Sequence, residues 1–315
     1  MKIKILPLFL VIPLTACQQP ALESKVFCFD TVVESRLYQG DKNDLNEIKS
    51  IYSYYDKISD NYQARDITNV YTINQTNDDV EIDPKLYDLL KASFDVKNEG
   101  ATYFNPLCGS LAKKWKESLK NQQILAENEK NAELLKSNSS SVLFKENNKI
   151  QRLGEAEIDL GGIAKGYALD MVKDYLDSKG INQYLLNAGS SSTMLGEKNT
   201  KDGLFSVGLR DVNNAYLKLK NCVVSTSGTS VQGVVIDGVT YSHIINPLTG
   251  NAINNYDAVI VISTKGYYGD ALSTSMMMNT IDEIKDIEQE HNVKTIVIKD
   301  KKIIYKHSEV EVYYR

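Results

Sequence analysis

The chain has 315 residues, with 36 Lys and Arg against 41 Asp and Glu and a formal net charge of −5. With no basic run, that balance argues against a nucleic-acid partner, whose phosphates need a positive footprint. A 42% hydrophobic content supports a sizeable core, and past the first residues no apolar run is long enough to cross a bilayer.

Lys2 and Lys4 precede an apolar run from Ile5 to Leu14, too short for a membrane span but right for a signal-peptide core. Leu14-Thr15-Ala16-Cys17 then resembles a bacterial lipobox. Residues 1–16 read as a leader, 17–25 as a lipidated tether and 26–315 as the folded body. A lipid on Cys17 would anchor the protein to the membrane in an extracytoplasmic location; an ordinary secretory peptide with an incidental cysteine is the alternative. Cys28, Cys108 and Cys222 lie far apart with no CxxC pair, which speaks against a thiolate metal site. One disulfide could form among them, but spacing does not assign it.

Val26–Phe29 and Val32–Tyr38 read as a hairpin. Leu45, Ile48, Ile51, Tyr52, Tyr55 and Ile58 recur at helical spacing, with Asp44 as the expected N-cap. Residues 59–78 look turn-rich. Asp83-Pro84 opens a second helix bearing Leu86, Leu89, Leu90 and Phe94. A third carries Leu107, Leu111, Trp115 and Leu119, and a more polar one covers 121–137. Strands are expected at 141–145, 149–153, 156–160, 183–187, 204–210, 216–224, 231–236, 239–245, 256–263, 294–299 and 302–306. Helices are expected at 163–179, 269–278 and 281–291. Helices early and strands late give an α+β class with mainly antiparallel sheet. No internal repeat is visible.

Three segments carry chemistry. Ile158-Asp159-Leu160-Gly161-Gly162-Ile163-Ala164-Lys165-Gly166-Tyr167-Ala168 runs from a strand through two glycines into a helix with a lysine, a pattern suited to phosphate or pyrophosphate. It is neither a dinucleotide fingerprint nor a Walker motif, and a plain strand-to-helix turn also accounts for it. Tyr241 to Gly250 places His243, one of three histidines, at the end of an alternating strand; a structural histidine fits there too. In Gly269-Asp270-Ala271-Leu272-Ser273-Thr274, Asp270 and Thr274 share a helix face at i and i+4 and could hold Mg²⁺, while Asp270 equally suits an N-cap.

Taken together and in this order, the segments resemble the ApbE family of FAD:protein FMN transferases. The family's Asp-Leu-Gly-Gly-Ile-Ala-Lys-Gly-Tyr-Ala is matched in full at 159–168. Asn187-Ala188-Gly189, Thr226-Ser227-Gly228, residues 243–250 and residues 270–274 match its later motifs, and Phe104-Asn105-Pro106 resembles its Phe-Asp-Pro. The resemblance implies a two-lobed fold with helices mainly in the first half and largely antiparallel sheet in the second. It implies FAD contacts from Phe29, Asn61, Tyr103, Phe104, Asn105, Asp159, Lys165 and Ile244. Mg²⁺ would be held by the Gly162 carbonyl, Asp270 and Thr274, with Ser273 nearby, and His243 matches the proposed catalytic histidine. The implied reaction is transfer of FMN from FAD to a Thr or Ser of an extracytoplasmic acceptor carrying a flavinylation motif, with release of AMP. A Mg²⁺-dependent FAD pyrophosphatase and a non-catalytic FAD-binding lipoprotein are the rival readings. The chain departs from the family pattern at Thr102, Asn105, Gly189-Ser190-Ser191 and Asn246; the two asparagines replace carboxylates and cannot act as bases.

Overall fold

The computed structural model describes residues 20–189, 191–229 and 233–315. The expected leader, Cys17, Ser190 and the start of the strand expected at 231–236 lie outside the described residues. Among the described residues no helix is long and apolar enough to cross a membrane, and Cys28, Cys108 and Cys222 are free thiols.

The first half comprises strands β1 (Leu22–Cys28) and β2 (Thr31–Leu37), helices α1 (Lys42–Ser59) and α2 (Val70–Asn74), β3 (Asp79–Glu81), α3 (Pro84–Asn98), α4 (Gly109–Lys120) and α5 (Glu127–Ser139). Next come β4 (Ser141–Lys145), β5 (Lys149–Leu153), α6 (Ala164–Ser178), β6 (Tyr184–Ala188), β7 (Ser192–Leu195), β8 (Phe205–Gly208), β9 (Ala215–Leu219) and β10 (Cys222–Gly228). The chain continues through β11 (Val234–Ile236), β12 (Val239–Tyr241), β13 (Ala258–Ser263), α7 (Gly266–Met276), α8 (Ile281–His291), β14 (Lys294–Lys299), β15 (Lys302–Lys306) and β16 (Tyr313–Tyr314). The expected α+β class with largely antiparallel sheet is what forms.

Several boundaries differ from expectation for local reasons. β1 begins inside the stretch expected as tether. Asp41, not Asp44, caps α1, accepting from the N–H groups of Asn43 and Asp44; the Asp44 carboxylate accepts in return from the Asp41 N–H at 2.8 Å. Asp44 is thus the far member of a capping box. The apolar period starts only at Leu45, which hides the polar first turn. Within 59–78 Asn69 caps the short α2, and the strand expected at 216–224 is two strands separated at Asn221, whose φ is +52°.

Eight strands form one antiparallel sheet in the order β1-β2-β6-β7-β10-β13-β14-β15. Its sixth strand in that order, β13, is buried on both faces. Val259 and Val261 join the main core with α1, α6 and α7, while Ala258, Ile260 and Ile262 pack with the β8-β9-β16 sheet in a second core. The period-two alternation of a strand makes this division unavoidable. A third, separate core gathers Leu111, Trp115 and Leu119 of α4 with Leu125 and with Ile236 of the β11–β12 hairpin.

The strand expected at 156–160 belongs to no sheet. Its backbone is instead paired by two hydrogen bonds with the 106–109 backbone, from the Asp159 N–H to the Pro106 carbonyl and from the Gly109 N–H to the Glu157 carbonyl, and by side chains. Asn74 accepts from the Ile158 N–H at 2.8 Å and donates to the Ile158 carbonyl at 2.9 Å, imitating a neighbouring strand. Arg152 donates to the carbonyls of Gly154, Ala156, Asn74 and Thr76. Buried backbone groups need such partners, and these deliver residues 159–165 to the start of α6. Replacing Asn74 by Ala leaves two buried groups unpaired and should cost about 2–4 kcal/mol. Urea unfolding measures this; unchanged stability would show that the two groups find other partners.

Candidate functional site

Helices α6 and α7 cross in backbone contact. A Cβ on Gly166 would lie 2.2 Å from the Gly266 carbonyl oxygen, and one on Gly266 would lie 2.4 Å from that of Gly166. Only glycine permits this approach. One turn further along each helix stands an aspartate. Asp170 of α6 accepts from the Gly266 and Tyr267 N–H groups at 2.8 and 3.0 Å, and Asp270 of α7 accepts from the Gly166 N–H at 2.7 Å. Each helix therefore supplies a carboxylate to the unpaired first-turn amides of the other. Asp270 is not the N-cap of its own helix, because α7 starts four residues earlier.

Asp270 is only 6% exposed. Burial raises its pKa, opposed by the charge of Lys165 and by hydrogen bonds from Ser192, Ser225 and Gly166. Ser192 and Ser225 donate to Asp270 Oδ1 at 2.6 and 2.8 Å. The Ser273 and Thr274 hydroxyls donate to the Asp270 carbonyl at 3.0 and 3.1 Å, and Ser227 Oγ lies 3.0 Å from Ser273 Oγ and 3.1 Å from Thr274 Oγ1. Gly162 completes the group: a Cβ there would stand 3.1 Å from the Phe104 ring and 3.9 Å from Thr274 Oγ1. All four residues expected at a metal thus converge. Their donors are oxygens with a single carboxylate, a set that fits a hard cation completed by water and phosphate oxygens. Among the described residues no three His, Cys, Asp or Glu side chains cluster as a metal site.

Lys165 donates to the Gly161 carbonyl at 3.3 Å, and its charge acts on both Asp270 and His243. His243 lies two residues past β12 and not on it. It reaches solvent, yet the protein around it, and secondarily Lys165, hold its pKa below the ordinary imidazole value. Asp159 accepts from the Gly161 N–H at 2.7 Å and shapes the glycine turn. Ile244 is buried, and its N–H donates to Ser242 Oγ at 2.9 Å.

The other expected flavin contacts come from the first half of the chain. The Tyr103 N–H donates to Ser275 of α7 at 3.1 Å. Phe29 and Asp30 make the β1–β2 turn, both at φ +55°, and the Phe29 N–H donates to Asp56 at 2.6 Å. A left-handed Phe is uncommon and marks a constrained position. Asn61 is 4% exposed with its amide Nδ2 unpartnered, while its carbonyl accepts from Lys113 at 2.6 Å. The Asn105 side chain is used within the fold: its oxygen accepts from Lys97 and the Leu107 N–H, and its nitrogen donates to Ser137.

The sequence reading missed Ser192, Ser225 and Asp170. The serines sit singly in separate strands with no pattern to mark them. Asp170 had one faint signal, an acid among the apolar residues of α6.

The ApbE family profile matches residues 29–297. The chain belongs to the ApbE family. Among curated relatives named FAD:protein FMN transferase, that of Vibrio cholerae is 35% identical over 133 residues, which is 39% of this chain and 39% of the relative. That of Klebsiella pneumoniae is 32% identical over 181 residues, 54% of this chain and 55% of the relative. The match thus spans only about half or less of these relatives' lengths. The ApbE protein of Thermotoga maritima has the same fold, with a TM-score of 0.77 at 24% identity over 93% of this chain and 96% of that one. So does the apo flavinyl transferase ApbE of Pseudomonas stutzeri, with a TM-score of 0.76 at 18% identity over 91% and 95%.

The departures from the ApbE pattern are absorbed locally. Asn246 accepts from the Leu248 and Thr249 N–H groups, a turn function that asparagine performs as well as aspartate. Asn105 gives Lys97 a neutral acceptor, and burial lowers the Lys97 pKa.

The paired aspartates give a pH signature. Burial raises Asp170 to about 6, above its ordinary 3.8, against the pull of the two N–H groups. A raised acid favours the folded state at low pH and loses that contribution as pH rises through the folded value. The stability of wild type minus that of Asp170→Asn should therefore fall between about pH 4 and pH 6. A flat difference across that window in urea titrations would show that Asp170 is not held in its raised state.

Proposed function

We propose that this protein transfers FMN from FAD to a Ser or Thr hydroxyl of an extracytoplasmic protein, in a Mg²⁺-dependent reaction that releases AMP. The observation that carries most weight is the convergence of Asp270, Thr274 and Gly162 beside Lys165 at the start of α6. Family membership and the names of the relatives point the same way.

In this reading the α6 N-terminus and Lys165 attract the pyrophosphate. Asp159 holds the turn that lets it approach. Phe29, Tyr103, Phe104, Asn105 and Ile244 would contact FAD, Asn105 through groups other than its occupied amide. The free amide of Asn61 is a donor awaiting an acceptor. When bound by the Gly162 carbonyl, Asp270 and Thr274, with Ser273 behind them, Mg²⁺ supplies charge neutralisation at the pyrophosphate oxygens. Burial and the charge of Lys165 hold the His243 pKa below its ordinary value, which favours the neutral imidazole that would take the acceptor hydroxyl's proton. The acceptor oxygen bonds to the phosphorus on the FMN side as the bond to AMP breaks. Cleavage of the leader and a lipid on Cys17 would hold this chemistry at the extracytoplasmic face of the membrane, where the acceptor would be met.

Intact-mass spectrometry of a candidate acceptor domain incubated with the protein, FAD and Mg²⁺ tests the proposal. An added FMN mass on Ser or Thr, absent with EDTA and absent with Asp270→Ala, is expected. Free FMN and AMP beside an unmodified acceptor would favour the pyrophosphatase, and full activity of Asp270→Ala would remove the metal assignment. The transfer rate should hold down to below the ordinary imidazole range and fall as His243 protonates; a fall centred at the ordinary value would argue against His243 as the base.

A further inference from the structure

We propose that Trp115 is a positioning residue for the segment carrying His243, and that α4 sets the spacing between that segment and the Asp159–Lys165 turn. Only the role of His243 in this proposal rests on the transfer reading above.

Trp115 is the single tryptophan of the chain. Its Nε1–H donates to the Gly250 carbonyl at 2.6 Å, and its ring stacks on Tyr241 with centroids 6.5 Å apart and planes inclined by 24°. Tyr241 and Gly250 bracket residues 242–249, so one side chain holds both ends of the His243 segment. That segment is internally braced. The Gly250 N–H donates to the Asn246 carbonyl and the Asn246 N–H to the Asn251 carbonyl, each at 2.8 Å, and Ile245 bridges to Ala252. A braced segment moves as a unit, and the third core, with Trp115 in it, holds it against α4 and α5. Lys130 of α5 adds a hydrogen bond to Asn251 at 2.6 Å.

The same helix grips the other half of the site. The Gly109 N–H at the start of α4 donates to the Glu157 carbonyl at 2.9 Å. Lys113 pairs with the Glu157 carboxylate at 2.6 Å and donates to the Asn61 carbonyl at 2.6 Å. Glu157 lies two residues before Asp159. Within seven residues α4 therefore grips the entry to the glycine turn, the Asn61 backbone and both ends of the His243 segment. A buried indole N–H needs an acceptor, and here that acceptor is the carbonyl that closes the His243 segment.

Trp115→Phe keeps an aromatic ring and removes that N–H. With three histidines in the chain, imidazole NMR resolves His243, assigned by its loss in His243→Asn. In Trp115→Phe the His243 titration should move up toward the ordinary imidazole value as the segment loosens from the protein around it and from Lys165, with the other two imidazole signals as internal references. Transfer should slow by about tenfold or more while FAD affinity is retained. An unmoved His243 titration overturns the proposal whether or not transfer is detected. A wild type that never transfers FMN overturns only the functional reading. If Trp115→Phe does not fold, incorporation of the benzothienyl analogue of tryptophan, which keeps the bicyclic shape and lacks the N–H, gives the same readout.

Discussion

Two aspartates exchanged between two helices fix the geometry on which the candidate site depends. Asp170 and Asp270 each satisfy the orphan amides of the other's helix, across a contact so close that only Gly166 and Gly266 fit. The exchange locks α6 and α7 in translation as well as angle, because each carboxylate meets specific N–H groups and not a general dipole. With α7 so placed, Asp270 falls beneath Ser192 of β7 and Ser225 of β10, neighbours in the central sheet. The cost of burying this carboxylate is offset by three donors and by Lys165.

The lysine at the start of α6 has a second effect. The charge of Lys165 stabilises ionised Asp270 and disfavours protonated His243. One cation thereby biases an acid toward its anion and a base toward its neutral form. Both are the states that metal-assisted transfer to a hydroxyl would need near neutral pH.

Much of the frame around these groups is irregular backbone stabilised by side chains. Residues 156–160 carry the approach to the glycine turn outside any sheet, and Asn74, Arg152 and the backbone of Pro106 and Gly109 supply the hydrogen bonds a sheet would have made. The Phe29-Asp30 turn is held by Asp56, and the 243–250 segment by Trp115. Apart from Arg152, these ties come from residues far away in sequence, so the site is assembled by the tertiary fold and not by any one motif. The replacements at 105 and 246 are tolerated for the same reason: the surrounding donors at 246 ask only for an acceptor oxygen, which asparagine retains.

The sequence by itself determined the α+β class and most helices, and it singled out Gly162, Lys165, Asp270, Ser273 and Thr274 as candidates. Apolar periodicity, glycine turns and short ordered motifs are local properties, and they survive in one dimension. Boundaries slipped where the deciding contact was polar, as at the Asp41–Asp44 capping box, or where pairing was supplied from a distance, as at 156–160. Only the tertiary structure decided that Asp270 caps a helix other than its own, that Ser192 and Ser225 turn their hydroxyls on it, and that Asp170 reciprocates. Those residues are singletons in sequence. Their meaning comes from a crossing of two helices 100 positions apart, and hydrogen bonds at such separation leave no period, spacing or composition for a linear reading to detect.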